Sequence, residues 1–360
     1  MDQLCSHCGS KMFALESVGN VQQKKFSLCC NQGKVNLPQI RPPPEELYSL
    51  FTGTSPAAKN FRENIRAFNS AFQFSSLQAD IDLSTLNSGR SGIYTFKISG
   101  SLHHCLPPLL PHQNGRPCYA QIYLYDPTVQ LQTRTNLFSQ IYPETVDILQ
   151  QMMNRINPFV SQWKSAREIT HNHSNLSNIQ IVLRPNHQQH HQRHTHNLPT
   201  SDEISVLIID PSTADHERVQ RRDVALFGRD VQNESGRVTH ITDTSPLYHP
   251  LSFPLFFPYG DWGWTYHQSS DSSDSSSDSS DSSVMRYYAY RLMIRDHWNP
   301  VHDGGRLLQE YVVTQFCKME QERLQMIANI QDNIRRHIHQ GIVDAATTDD
   351  TNIMTGADIG

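Results

Sequence analysis

GRLLQEYVVTQFCKMEQERLQMIANIQDNIRRHIHQG, residues 305–341, decides between two folds for its part of the chain. Near its close His337 and His339 bracket a single hydrophobic residue, Ile338. On a β-strand, residues i and i+2 project from one face, and the two imidazoles would converge on one divalent metal. On a helix they point about 160° apart and cannot share an ion. Hydrophobic periodicity chooses the helix: Leu308, Val312, Phe316, Met319, Ile327, Ile330, Ile334 and Ile338 recur at helical steps and form one apolar stripe. The spacing predicts a long helix ended by Gly341, a usual residue just past a helix, with a frayed tail from Val343. His337 and His339 then border the stripe on opposite sides. The stripe is expected to pack within the chain against residues 45–260; the alternative is a seam for a partner helix or a second copy. The adjacent His103 and His104 fail the same test, since neighbours on a strand face opposite ways.

Upstream, SSDSSDSSSDSSDSS at 269–283 has nothing to bury. It reads as an extended, self-repelling linker spanning roughly 20 Å and divides the chain. It also holds Asp271, Asp274, Asp278 and Asp281, so most of the formal charge of −5 lies there and the rest of the 360 residues is nearly neutral. A near-neutral body excludes nucleic-acid binding over the whole surface and leaves room only for a local basic patch. Hydrophobic content of 37% with abundant Phe and Tyr argues for packed cores. The start, MDQLCSHCGSKMF, lacks a signal-peptide core, and no run approaches a membrane span, so the expectation is an intracellular protein without a membrane partner.

Between residue 45 and the linker, strand and helix signals alternate. AAKNFRENIRAFNSAFQFSS reads as a helix feeding a strand, and YPETVDILQQMMNRINPF as a helix with acids in its first turn and a stop near Pro158. GIYTFKIS, CYAQIYLYD, NIQIVLR and ISVLIID have strand composition. The expected class is α+β. The expected division is a Cys-rich module at 1–44, a mixed α+β domain at 45–268, the disordered linker at 269–283, a helical segment at 284–342 and a flexible tail at 343–360. HQQHHQRHTH at 187–196 reads as a solvated, histidine-dense insertion, with metal binding as the alternative.

Four of the seven cysteines fall in the first 30 residues. In a reducing compartment such clustering favours a metal over disulfides. Cys5 and Cys8 form a C-x-x-C knuckle, and Cys29 and Cys30 supply a second pair, so zinc held by three or four of them is the expected cofactor. Adjacent thiols converge on one ion only with a strained backbone, which keeps His7, His103 and His104 open as a fourth ligand. The other reading is reduced cysteines in a small hydrophobic fold.

Two basic stretches are candidates for nucleic-acid contact. RYYAYRLMIR interleaves Arg286, Arg291 and Arg295 with Tyr287, Tyr288 and Tyr290, joining phosphate-binding charge to stacking surface. Lys24, Lys25, Lys34 and Arg41 lie around the second cysteine pair. In the competing reading the tyrosines pack the helix and the lysines only solubilise the knuckle. No G-x-x-x-x-G-K-[ST] loop is present, QGKV at 32–35 lacking both the first glycine and the hydroxyl, so no nucleotide site is expected. Neither G-x-S-x-G nor H-E-x-x-H occurs, which argues against an independent hydrolase.

A knuckle followed by FSLCCNQGKVNLPQIRPPPEELYSLF, then FRENIRAFNSAFQFSSL, YTFKISGSLHHCLPPLLP, YAQIYLYD, NLPTSDEISVLIID and YHPLSFPLFFPYGDWGW, resembles the N-terminal region of Helitron transposases. These rolling-circle proteins join a Rep-type nuclease to a helicase. RYYAYRLMIRD and the helix after it look like the start of the Helitron helicase-like domain. The resemblance covers most of the chain in order, apart from the linker and the His-rich loop. It implies that RRHIHQG lies in a helical region before the nuclease's metal-binding strand, and that no catalytic residue of the family maps onto a position here. What it implies in sum is a truncated or partial transposable-element protein, not an enzyme by itself. Such a protein would be nuclear, engage DNA, single-stranded above all, and work with a full-length transposase.

Overall fold

The computed structural model describes residues 1–18, 25–37, 39–81, 98–107, 116–164, 180–185, 204–209, 224–227, 239–241, 245–264 and 284–347. Lys24, most of GIYTFKIS, the loop 187–196, the run 269–283 and the end of the tail lie outside them. Helices and strands are mixed, as expected. The chain divides into two compact units, Met1–Gln315 and Phe316–Gly360.

The first unit opens with a two-stranded hairpin, β1 (Gln3–Leu4) and β2 (Lys11–Met12). Three short helices follow: α1 (Glu45–Thr52), α2 (Pro56–Glu63) and α3 (Ile65–Phe72). Serine before proline starts α2, the Ser55 hydroxyl accepting from the Ala58 amide at 3.1 Å while Pro56 needs no donor partner. Leu47, Leu50 and Phe51 of α1 and Ile65, Phe68 and Phe72 of α3 recur at helical spacing and are buried. β3 (Ser76–Ile81), β4 (Ile98–Leu106) and β8 (Thr239–Ile241) form one antiparallel sheet with β4 central. β5 (Gln180–Pro185), β6 (Ile204–Ile209) and β7 (Val224–Phe227) form a second with β5 central. α4 (Pro127–Leu137) and α5 (Pro143–Ile156) lie between the two sheets in sequence, followed by a short helix α6 at 158–164.

One expected strand is not one. CYAQIYLYD forms a 3-10 turn at Tyr119–Leu124, entered through Tyr119 at φ 51° and capped where the Cys118 amide donates to Gln121 Oε1 at 3.1 Å. Ala120 to Leu124 are all buried. A short apolar run signals burial on every side, and composition alone does not separate a strand from a buried turn.

Residues 245–264 run through the middle of this unit, and nearly all of them are buried. The segment contains α7 (Tyr248–Ser252). Neighbours meet three of its carbonyls: Leu251 O accepts from the Phe74 amide at 2.8 Å, Ser252 O from Asn69 Nδ2 at 2.9 Å, and Pro258 O from Asn157 Nδ2 at 3.0 Å. α8 (Val284–Leu292) and the start of α9 (Arg306–Thr347) pack on the same segment. His249 Nε2 lies 2.7 Å from the Tyr288 hydroxyl, and Tyr311 contacts the rings of Phe253, Phe256 and Phe257. Cysteine module, mixed body and α8 therefore belong to one compact unit, in place of the three separate regions expected from composition. The Ser/Asp run divides the sequence without dividing the fold, because two segments joined by a linker can still bury their apolar faces on each other.

α9 differs from expectation in two respects. It runs on through Gly341 to Thr347, the glycine's cost of about 1 kcal/mol in a helix being tolerated with Ala345 and Ala346 further along. Within Met1–Gln315 its buried residues are Leu307, Glu310, Tyr311, Thr314 and Gln315. The apolar stripe is not that face: Val312, Phe316, Ile327 and Ile330 are exposed, Leu308 and Met319 half-buried, and the side chains of Ile334 and Ile338 lie outside the described set. His337 and His339 sit on helix, which excludes the shared metal. Among the described residues no helix is long and apolar enough to cross a membrane.

Arg134 shows how strictly the core is organised. It is fully buried, stacked with its guanidinium 4.8 Å from the Phe72 ring centre and 4.7 Å from that of Tyr123. It donates to Ala71 O at 2.9 Å and to the side-chain oxygens of Gln130 and Gln150. Burial lowers the Arg134 pKa and pushes the Tyr123 phenol up to about 12. Arg134→Ala leaves a cavity and three acceptors short of a donor, so urea unfolding should show a loss of about 3 kcal/mol. A loss under about 1 kcal/mol would mean that the charge costs as much as its contacts return.

Candidate metal centre

Cys5, Cys8, Cys29 and Cys30 bring their sulfurs within 4.8 Å of one another. Cys5 Sγ lies 3.6 Å from Cys30 Sγ, and Cys29 Sγ 3.8 Å from Cys30 Sγ. A tetrahedral ion with metal–sulfur bonds of about 2.3 Å places its sulfurs about 3.8 Å apart, so the cluster fits one such ion with little adjustment. Cys5, Cys29 and Cys30 are buried, whereas Cys8 is partly exposed. Four thiolates complete a tetrahedron and leave no position for a water or substrate, which is the arrangement of a structural site.

Two tight turns present the four sulfurs. The first joins β1 to β2: the Cys5 amide donates to Ser10 O and the Gly9 amide to Cys5 O, both at 2.9 Å, with Gly9 at φ 67°. The second follows Cys30, where Asn31, Gln32 and Gly33 take φ values of 49°, 58° and 89°. This is the backbone strain that adjacent ligands require; Asn31 and Gly33 are types that tolerate the left-handed region, and Gln32 between them carries the strained conformation. It turns the Gly33 amide onto Cys30 Sγ at 3.2 Å. His7 is not among the four clustered ligands. Its ring packs over Gly33, where an added Cβ would come within 2.7 Å of Nδ1. His103 and His104 fall on β4, paired in register with Gln78 and Leu77, with side chains outside the described set.

The thiols are electrically unequal. Burial opposes ionisation of Cys8, but hydrogen bonds from the Ser10 side chain and backbone, then from Arg295 and Cys29, outweigh it and bring the pKa down to about 6. Burial and the neighbouring sulfurs push Cys29 up to about 11 and Cys30 higher still. Near neutral pH one thiolate stands ready, while Cys29 and Cys30 must each give up a proton to bind.

A second layer holds this site to α8. Arg295 donates from Nε to Cys8 O at 3.0 Å and from Nη1 to Tyr290 O at 2.8 Å, with its guanidinium 4.0 Å from the Tyr290 ring centre. The Lys11 amide donates to Ile294 O at 2.8 Å, the Lys11 ammonium lies 3.0 Å from Asp296, and the Tyr290 hydroxyl donates to Leu37 O at 3.2 Å. Nothing in the spacing of RYYAYRLMIR foretells that its last arginine clamps a cysteine turn nearly 290 residues earlier in sequence.

These contacts correct the expected nucleic-acid surface on α8. Tyr287 and Tyr288 are buried, with Tyr288 on His249 and the Tyr287 hydroxyl donating to Trp262 O at 3.4 Å, so neither ring can stack a base. Arg291 lies over Tyr287 with its guanidinium 5.3 Å from the ring centre and near Asp261, and Arg295 is spent on backbone carbonyls. Arg41 pairs with Asp261 at 2.9 Å and covers the Tyr259 ring. The missed signal was the helical spacing of Val284, Tyr287, Tyr288 and Arg291, which marks one inward face. Arg286 is half-buried, and Lys25 and Lys34 are exposed.

No family model and no curated protein matches this chain.

Two measurements test the centre. Titrating Zn2+ into the metal-free chain by calorimetry in buffers of different ionisation enthalpy should show release of about two protons or more near neutral pH; release of none would contradict the protonated state of Cys29 and Cys30. Arg295→Ala should weaken metal retention against a chelator by about tenfold or more, and unchanged retention would remove Arg295 from the support of the cluster.

Proposed function

We propose that this chain is the DNA-engaging front portion of a Helitron-like rolling-circle transposase. In this reading it is an α+β body stapled by zinc on Cys5, Cys8, Cys29 and Cys30, with no nuclease or helicase chemistry of its own. Zinc is the favoured ion because four thiolates in a closed tetrahedron suit its softness and its lack of geometric demand. The observation that carries the reading is the junction of its two most distinctive sequence blocks. YHPLSFPLFFPYGDWGW and RYYAYRLMIRD flank the Ser/Asp run and meet in one core through His249 and Tyr288, 2.7 Å apart. The cysteine module docks on the second block through Arg295. In this reading these two blocks and the cysteine module act as one device, with the run 269–283 inserted between them in sequence.

DNA contact belongs to the cysteine module in this reading. Lys25 and Lys34 are exposed on either side of the second cysteine pair, with Lys24 beside them in sequence. Their number suits a modest, salt-sensitive grip on a single strand. The nucleus is the compartment and a full-length transposase the protein partner that such a role entails.

Anisotropy of a labelled single-stranded oligonucleotide, titrated with the full chain across a salt series with and without a zinc chelator, tests this. Binding that falls with salt and is lost on chelation is expected. Lys25→Ala with Lys34→Ala should flatten the logarithmic salt dependence by about 0.7 per phosphate contact removed. Absence of binding at low salt would sink the proposal.

A further inference from the structure

In the unit Phe316–Gly360, α9 carries a row of apolar side chains in water. Phe316 is 54% exposed, Ile327 51% and Ile330 43%. Positions 316, 327, 330, 334 and 338 fall within one arc of about 80° on an α-helix. A helix draws most of its stability from packing such a face, and an exposed row of this length marks an interaction surface.

We propose that this row is the seam of a homodimer in which α9 pairs antiparallel with a second copy of itself, about a centre between Ala328 and Asn329. That register matches the whole row. Ile327 falls level with the partner's Ile330, Met319 with the partner's Ile338, and Phe316 with the partner's Gly341, the bulkiest position against the emptiest. The polar positions match as well. Glu320 falls level with the partner's His337, and Arg323 with the partner's Ile334, where its stem can lie on the apolar row while the charged head reaches water. Within one helix, Arg323 also pairs with Glu320 at 3.0 Å.

Charge selects this orientation over the parallel one. In a parallel pair of identical helices Glu320 would face Glu320 and Arg323 would face Arg323, two repulsive layers in the seam. The antiparallel register removes both and sets an acid opposite an imidazole. The 26 positions from Phe316 to Gly341 make a seam about 39 Å long. Continuity of α9 through Gly341 is necessary, because the register uses that glycine as the recess for Phe316.

Sedimentation equilibrium of the full chain over a concentration series tests the pairing. A monomer–dimer equilibrium is expected, shifted to monomer by Ile327→Asp with Ile330→Asp. These exposed positions lie outside the compact unit Met1–Gln315, so its unfolding transition should not move. Glu320→Lys should raise the dimer dissociation constant on the order of tenfold, and adding His337→Glu should restore it. That rescue is specific to the antiparallel register, since in a parallel pair these two residues never meet. A monomer at every concentration, a dimer indifferent to the paired aspartates, or a failure of the second substitution to rescue the first would each overturn the proposal.

Discussion

A backbone segment buried along nearly its whole length must have its polar groups met, and residues 245–264, which meet part of that need by turns of their own such as Gly260 N to Phe257 O and Gly263 N to Pro246 O, place the remainder on the rest of the first unit. The segment is too rich in proline to form a long helix and is not paired as a strand, so neighbouring elements supply the missing donors, two from side chains and one from backbone. Asn69 serves Ser252 O, Asn157 serves Pro258 O, and the Phe74 amide serves Leu251 O. Each comes from a different helix or its end, so satisfying one strip of backbone fixes α3, α5 and the entry to β3 around it. The apolar side of the same strip receives Tyr311 from α9 and Tyr288 from α8.

The cysteine module gains its place by extension of that packing. α8 is held by its tyrosines, and the turn beyond it offers Ile294 O, Arg295 and Asp296 to the β1–β2 hairpin. Arg41, near the end of the module, is anchored from the other side by Asp261. Burial raises the Asp261 carboxyl pKa while Arg41 and Arg291 pull it down, so that one acid is shared between the chain leaving the module and the helix that supports it. Cysteine cluster, arginine clamp and aromatic core thus form a connected series, in which the core positions the turns that carry the four sulfurs.

Basic and aromatic residues in one short stretch carry two meanings, and burial separates them. Arginine over tyrosine is as useful inside a protein, where it satisfies carbonyls and covers a ring, as it is on a nucleic-acid surface. On α8 the inside use prevails, leaving the lysines of the cysteine module as the exposed cations among those first singled out. α9 presents the reverse case, with Val312, Phe316, Ile327 and Ile330 of a stripe read as core exposed.

What the sequence by itself determined was local. The spacing of Cys5 and Cys8 and the doublet at Cys29 and Cys30 announced a metal site, because ligand chemistry restricts which residues can do that work. Helical periodicity placed α5 and α9 and disposed of the paired histidines, because the pitch of a helix is a property of the backbone. Tertiary structure decided which face of each element turns inward. α9 buries Leu307 and Tyr311 and leaves Val312 and Phe316 outside, although both sets are apolar and both are spaced for a helix. CYAQIYLYD became a turn for a similar reason, its apolar run being equally content in any buried conformation. Periodicity states that a face exists. Only the partner that covers it, set here by residues 245–264 some distance away in sequence, states which face is used.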